Sequence, residues 1–448
     1  MNSPKRGTVA CVLAAGFIIL SLIGIMTSSQ STYRAVVIIY LLILSTNRVA
    51  LVCAIPYIFF SPVALMSDLP LIMAICCAIF FHALFSAVGN GLSVKFSSFG
   101  KSWTVSLLAL ILASLISAII SNNEIASLGA LSIYVQGFFL LILLCVSVRG
   151  ENEYQYLLVS ICIASAFALV YKVFCYYSEI PPVLLSAAVD GGSSWESKAQ
   201  IFLDSEFVKR LLWLGQEPNY TAALHFVPTA IAISLYAKAK RWKLLFLLCA
   251  AANAMQILGT LSRSGAVSLL LMMVLLVLFG GMKSKNKLQI GSAMILAVIL
   301  LYSQVGYLFD RLGSIQSSVV SDGASGRFEF WGKAVELINQ SPVFGIGPGG
   351  FRADVGDAAH NTYIEVIAEL GFIGGVIYIA FVVFPVAYSV ISKRRSDRII
   401  LIGYLSYLLM GMSISFYQFF LIVFMGFVCV RGYSSVRSSA SHGGIYVM

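Results

Sequence analysis

The chain has 448 residues, 59% of them hydrophobic and only 11% charged, with a mean hydropathy of +0.93. A soluble protein carries roughly a quarter charged residues, so the polar groups here are too few to cover a water-facing surface, and soluble multidomain architectures are excluded. The net charge of +10 raises nucleic acid as a partner, and the placement of that charge along the chain decides the matter.

Lys5 and Arg6 precede an apolar run over residues 9–26. No small-x-small cleavage site follows it, so it reads as an uncleaved first span. Apolar runs separated by polar breaks then predict spans near 35–46, 49–66, 69–89, 103–120, 126–147, 155–177, 218–237, 244–260, 265–281, 289–306, 362–391, 399–412 and 414–430. The expectation is an all-α polytopic integral membrane protein with about 12–14 transmembrane helices. The nine cysteines lie within or at the edge of apolar runs, and there are only four histidines. Neither a disulfide framework nor a metal site is expected.

With a cytoplasmic N-terminus, 19 of the 29 Lys and Arg fall on the inner side. They sit on short connectors such as 238–243, 283–287 and 393–398, the pattern of an orientation signal. A nucleic-acid footprint needs its basic residues clustered on one domain, so no nucleic-acid partner is expected, and both termini are placed in the cytoplasm. The expected organisation is N-terminal helices over 1–177, a first external loop at 178–217 and central helices over 218–306. A larger external loop follows at 307–361, then C-terminal helices and a cytoplasmic tail over 362–448. Both loops are net acidic: three basic against five acidic residues over 179–210, and four against six over 310–357. In the second, Phe328, Trp331, Val335 and Ile338 recur at helical spacing and predict an amphipathic helix on the outer membrane surface.

The unusual polar residues gather on this external side. Glu217 and Asn219 stand where a loop enters a span, Arg263 at an external turn, Arg327 at the start of the amphipathic helix, and His360 and Asn361 where the second loop re-enters the membrane. Arg210 lies just before the first of these. Basic groups distant in sequence but meeting at one membrane face point to an anionic ligand presented from the bilayer, most simply a phosphate or pyrophosphate. Plainer roles are open to each. Arg263 can pair with phospholipid headgroups, Arg210 can be a solvated loop charge, Glu217 a helix-start acid and Asn219 a polar cap. Arg327 at a helix start is unfavourable without an anion. Thr362 and Glu365 fit a capping box. Glu369, four residues on and inside a membrane helix, requires a buried partner, for which one of these arginines is the natural candidate. His360 titrates near neutrality and suits a general base at an aqueous–membrane boundary. The glycine run 344–351 lacks the Gly-Lys-Ser/Thr ending of a nucleotide-phosphate loop and reads as a tight turn toward the membrane.

Taken in order, SRSG (262–265), SGRFEFW (325–331), SPVFGIGPGGF (341–351) and HNTYIEVIAELGFIGG (360–375) resemble the O-antigen ligase and polymerase (Wzy-type) family of bacterial membrane glycosyltransferases. The resemblance runs from about Glu217 to Phe381; the N-terminal half carries no matching motif. It implies a GT-C-like membrane fold with two structured periplasmic loops, in the inner membrane, with the active site facing the periplasm. It implies transfer of a glycan from undecaprenyl pyrophosphate to an acceptor hydroxyl, without a nucleotide sugar, metal or other cofactor. In polymerases the acceptor is another lipid-linked repeat unit; in ligases it is the lipid A–core. On this resemblance Arg263 and Arg327, and less directly Arg210, bind the pyrophosphate. His360 acts as base or positions the acceptor, with Glu217, Asn219, Asn361, Glu365 and Glu369 in support. Membrane lipids and a chain-length regulator are the further partners it implies. A polymerase is the first expectation and a ligase the second. A lipid-linked glycan transporter ranks below both, because transporters place their ionisable residues near the bilayer midplane in two related halves.

Overall fold

The structure, a computed structural model, describes residues 52–53, 55–56, 60, 98–121, 123–148, 150–178, 218–300, 327–391, 397–415 and 419–431. The expected spans at 9–27, 35–46 and 69–89, most of that at 49–66, and the loop residues Arg210 and Glu217 lie outside them. The described residues are all-helical: α1 (Ser98–Ile120), α2 (Glu124–Ser147), α3 (Glu151–Ser178), α4 (Pro218–Leu224), α5 (Phe226–Lys238), α6 (Lys243–Gly259), α7 (Arg263–Phe279), α8 (Ser284–Leu300), α9 (Arg327–Gln340), α10 (Gly350–Val355), α11 (Thr362–Ile391), α12 (Arg398–Met410) and α13 (Phe419–Arg431). The ten expected spans that fall on described residues coincide with helices, the one at 218–237 with the pair α4 and α5. Among the described residues, five stretches are long and apolar enough to cross a membrane: 99–120, 124–145, 151–170, 218–238 and 362–391. Shorter apolar helices, α6, α7, α12 and most of α13, pack among them.

The distribution of side chains is that of a polytopic membrane protein. Large apolar residues face outward, among them Ile119, Ile125, Leu270 and Val376, while Ser114, Ser117, Thr229, Asn253 and Gln256 are fully buried. A water-soluble protein inverts this arrangement; in lipid, the polar groups are the ones that must find partners inside. The α4–α5 pair lies at the centre, with every residue from Thr221 to Tyr236 buried, and it packs against α3, α6 and α12. A polar chain crosses this core. Asn253 Nδ2 donates to Cys249 O and to Ser165 Oγ, which leaves its Oδ1 facing His225 Nδ1 at 2.8 Å. His225 therefore donates through Nδ1, and its Nε2 accepts from Lys172 Nζ at 3.1 Å.

Helix α11 contains Pro385, which lacks the N–H that would reach the carbonyl of Phe381. Trp103 of α1 replaces it: the indole Nε1 donates to Phe381 O at 3.1 Å while its ring stacks on that of Phe381 at 5.2 Å. The basic connectors between α5 and α6 and between α7 and α8 share one end of the bundle with the start of α12. There Lys238 pairs with Asp397. The opposite end carries the turns at 121–123, 260–262, 341–361 and 411–415.

Trp103→Phe keeps the aromatic packing and deletes the N–H, stranding Phe381 O. It is expected to cost about 1–3 kcal/mol and to lower the melting temperature in detergent. Adding Pro385→Ala, which restores a helical N–H, recovers part of the loss.

Candidate functional site

The end of the bundle opposite the basic connectors is organised by a break in α11. Gly371 has φ 66° and ψ −175°, far from helical, so the turns on either side lose their regular partners. The segment 342–347 supplies them. Ile346 N donates to Ala368 O (3.1 Å), Gly347 N to Glu369 O (2.9 Å), and Phe372 N to Pro342 O (2.8 Å). Ser117 of α1 adds a hydroxyl donor to Glu369 O. The approach is backbone to backbone. A Cβ on Gly371 would lie 2.3 Å from Val343 C and O, and one on Gly345, at φ 73°, would lie 2.2 Å from Glu369 O. The glycine run is thus a tight turn seated against a broken membrane helix.

The break fixes Glu369. Its carboxylate accepts the backbone N–H groups of Gly349 and Phe351, the latter at 3.3 Å, and the cation acting on it is Arg352. The expected partner was one of the arginines at positions 210, 263 and 327, of which Arg210 lies outside the described residues. Among the described residues the groups acting on it are main-chain amides and Arg352, an arginine not singled out from the sequence. Glu365 is also held differently from the capping box expected of Thr362 and Glu365. The helix cap is Asn361, whose Oδ1 accepts from Tyr363 N (3.1 Å) and Ile364 N (3.3 Å). Glu365 reaches back past it to Ala359 N (2.8 Å) and accepts from Ser415 Oγ. The Thr362 hydroxyl donates to Ile414 O.

His360 immediately precedes the Asn361 cap. It adopts φ 51°, left-handed backbone that is uncommon for a residue with a side chain. The residue before it is held by Trp331 of α9, whose Nε1 donates to Ala359 O at 3.0 Å. The Phe330 ring lies 6.4 Å from the imidazole. Desolvation holds the His360 pKa below its usual 6.5, reinforced by Arg327 and Arg352 and opposed by Asp357. Helix α9 forms at the expected residues, and a further apolar face of it packs on the protein. Phe330, Ala334, Leu337 and Ile338 pack on Phe351, Ala359 and Ala368, while Phe328 and Val335 remain exposed. Its best-packed face rests on the protein because the 350–361 segment lies beneath it, and the Phe328–Val335 edge points away.

A second group surrounds Arg263, the first residue of α7. Ser262 caps that helix, accepting from Gly265 N at 2.9 Å. Asn219 Oδ1 accepts from the hydroxyls of Ser262 and Ser264, and its Nδ2 donates to Ser413 O. Asn219 therefore joins the start of α7 to the 411–415 turn. That same turn receives Thr362 N and Ser415 connects it to Glu365. The Arg263 and His360 groups are thus parts of one hydrogen-bonded surface.

A cavity of about 310 Å³ opens between α2 and α11, lined by Tyr134, Arg352, Thr362, Glu365, Glu369 and Tyr378 among others. Arg352 belongs both to this lining and to the field at His360; His360, Arg263 and Arg327 do not line the cavity. The sequence reading missed Arg352, whose only signal was its place just after the glycine run. It also missed Tyr134, which sits inside an apolar run with nothing to mark it.

Residues 244–379 match the protein family described as O-antigen ligase. The chain carries an O-antigen ligase domain. That domain spans α6 to the middle of α11, so it contains Arg263, Arg327, Arg352, His360, Asn361, Glu365 and Glu369 and leaves Asn219 outside. It agrees with the Wzy-type ligase and polymerase resemblance of the sequence and supports a glycan-transferring enzyme of the bacterial inner membrane. A comparison with curated proteins returned no match.

Gly345→Ala and Gly371→Ala each force a side chain into backbone at a left-handed position. A loss of about 3 kcal/mol or more is expected, read as reduced monodisperse yield in detergent. Gly332→Ala, on α9 with nothing near the added carbon, is expected to be neutral or slightly stabilising.

Proposed function

We propose that the protein is a polymerase that joins undecaprenyl-pyrophosphate-linked oligosaccharide repeat units into O-antigen, capsular or exopolysaccharide at the periplasmic face of the inner membrane. The observation that carries this reading is the placement of His360 at the lip of α11, between the Trp331–Ala359 hydrogen bond and the Asn361 cap and within the stretch that matches the O-antigen ligase family; Arg327 and Arg352 lie near enough for their charge to act on it. By the positive-inside tendency the basic connectors at the opposite end of the bundle face the cytoplasm, so the His360 end faces the periplasm.

In the proposed reaction the acceptor hydroxyl attacks the anomeric carbon of the donor sugar. The bond from that carbon to the pyrophosphate oxygen breaks, and its electron pair leaves with the lipid pyrophosphate. Arg263 and Arg327 stabilise the charge on the leaving group, with Arg210 as a further cation for it, so the transfer runs without a metal ion. His360 takes the proton from the attacking hydroxyl and passes it to solvent, and the anomeric carbon inverts. Asn361 and Glu365 hold the helix start that presents His360, and Asn219 holds the cap beside Arg263. Glu217, just before Pro218, is assigned to the entry of α4.

A ligase performs the same chemistry on a lipid A–core acceptor and is the second reading. The surface polysaccharide of a deletion strain separates the two on electrophoresis. Core bearing a single repeat supports the polymerase. Bare core with lipid-linked polymer accumulating replaces it with the ligase.

His360→Ala and Arg263→Ala are expected to lower transfer at least a hundredfold while membrane insertion stays normal, and EDTA is expected to leave wild-type transfer intact. The His360 pKa lies below 6.5, so the neutral, proton-accepting imidazole predominates at pH 7. The rate is therefore expected to stay flat from neutral pH down to about 6.5 and to fall as the imidazole becomes protonated below that. Arg352→Gln removes a cation that disfavours the imidazolium, so it shifts this acid limb to higher pH.

A further inference from the structure

The cavity between α2 and α11 has a lining that the transfer chemistry does not use. Its volume of about 310 Å³ lies at the lower end of the range for small-ligand sites and suits a sugar ring. Glu365, Glu369, Tyr134 and Tyr378 line it and are 6, 8, 8 and 2% exposed. Glu365 accepts from Ala359 N and Ser415 Oγ, and Glu369 from Gly349 N and Phe351 N. A carboxyl group offers about four acceptor positions, so Glu369 retains capacity toward the cavity, and Glu365 stands beside it on the lining. The phenol hydroxyls of Tyr134 and Tyr378 make no hydrogen bond among the described residues. Buried hydroxyls are normally partnered, and two on the wall of one cavity mark places for the donors and acceptors of a ligand.

Charge selects the class of ligand. The carboxyl pair Glu365 and Glu369 crowds acceptor oxygens beside Arg352, the one guanidinium among the described lining residues; that disfavours a phosphate and welcomes a polyol, whose hydroxyls donate to carboxyl oxygens while its C–H face lies on aromatic rings. We propose that this cavity is a sugar subsite that holds the terminal residue of the acceptor glycan, with Glu365, Glu369, Tyr134 and Tyr378 as positioning residues. The assignment to the acceptor rests on the transfer reading above. The donor's reacting sugar is esterified to pyrophosphate and must stay with the guanidiniums, whereas the acceptor's reacting end is an uncharged hydroxyl. Thr362 of the lining lies two residues from His360, and Arg352 is shared by both places, so the cavity adjoins the proposed base.

The test uses the full chain in nanodiscs and two probes, the delipidated repeat-unit oligosaccharide of the host polysaccharide and inorganic pyrophosphate, with binding followed by saturation-transfer NMR. Tyr134→Phe and Tyr378→Phe each remove a hydroxyl that has no partner within the described residues, so a purely structural role predicts no effect. Each is expected to weaken oligosaccharide binding about fivefold and to leave pyrophosphate binding unchanged. In turnover, KM for the acceptor rises and KM for the donor does not. Ala130→Phe, which fills the cavity, is expected to abolish oligosaccharide binding; the two tyrosine variants carry the test if it does not fold. No oligosaccharide binding to the wild type at millimolar concentration overturns the proposal, as does equal binding by wild type and all variants. Pyrophosphate binding that falls with the tyrosine hydroxyls also overturns it, because the cavity would then be the anionic site. A wild type that binds the oligosaccharide there but transfers no sugar supports the subsite and removes the transfer reading.

Discussion

A membrane helix that breaks must recover its backbone hydrogen bonds from the protein, because the surrounding lipid offers none. The break at Gly371 in α11 meets this demand by drawing the 342–347 segment against it, with amides and carbonyls exchanged across the gap. Most of the candidate site follows from that seam. The segment's continuation places Gly349 and Phe351 where Glu369 can accept their N–H groups. Helix α9 then covers the residues beyond, and Trp331 ties down the carbonyl just before His360. A left-handed histidine at the lip of a membrane helix is sustained because its neighbours on both sides are hydrogen-bonded.

The electrostatics have the same origin. Glu365 and Glu369 lie one helical turn apart in a buried setting, where two carboxylates repel. Main-chain amides, a serine hydroxyl and Arg352 hold them, so local donors carry the compensation that a long-range salt bridge would otherwise have to provide. Arg352 also acts, together with Arg327, on His360, so one guanidinium bears on both a buried carboxyl group and the imidazole. The chain's surplus of +10 contributes little here. It belongs mainly to the connectors at the other end, where Lys238 pairs with Asp397.

Much of this was legible in the residues. Apolar runs marked where the described residues form helices, five of them long and apolar enough to cross a membrane, since a bilayer imposes length and hydropathy directly on sequence. The order of the SRSG, SGRFEFW and HNTYIEV motifs indicated the family. Spacing also revealed α9 as a helix and one apolar stripe along it, but not the second stripe that packs on the protein. Its apolar residues form two overlapping stripes, and the sequence does not say which meets the 350–361 segment. Asn361 displaced Thr362 as the cap because the Thr362 hydroxyl is committed to Ile414 O, a contact 52 residues away.

The sequence by itself determined a polytopic helical membrane protein, its distribution of charge between two ends and the family of its central domain, all consequences of local composition and order. Tertiary structure alone decided what holds Glu369, which face of α9 is buried, and that Arg352 and Tyr134 share a cavity with α11. Those outcomes depend on how a broken helix finds its missing hydrogen bonds, and its partners come from segments that the chain's linear pattern does not pair.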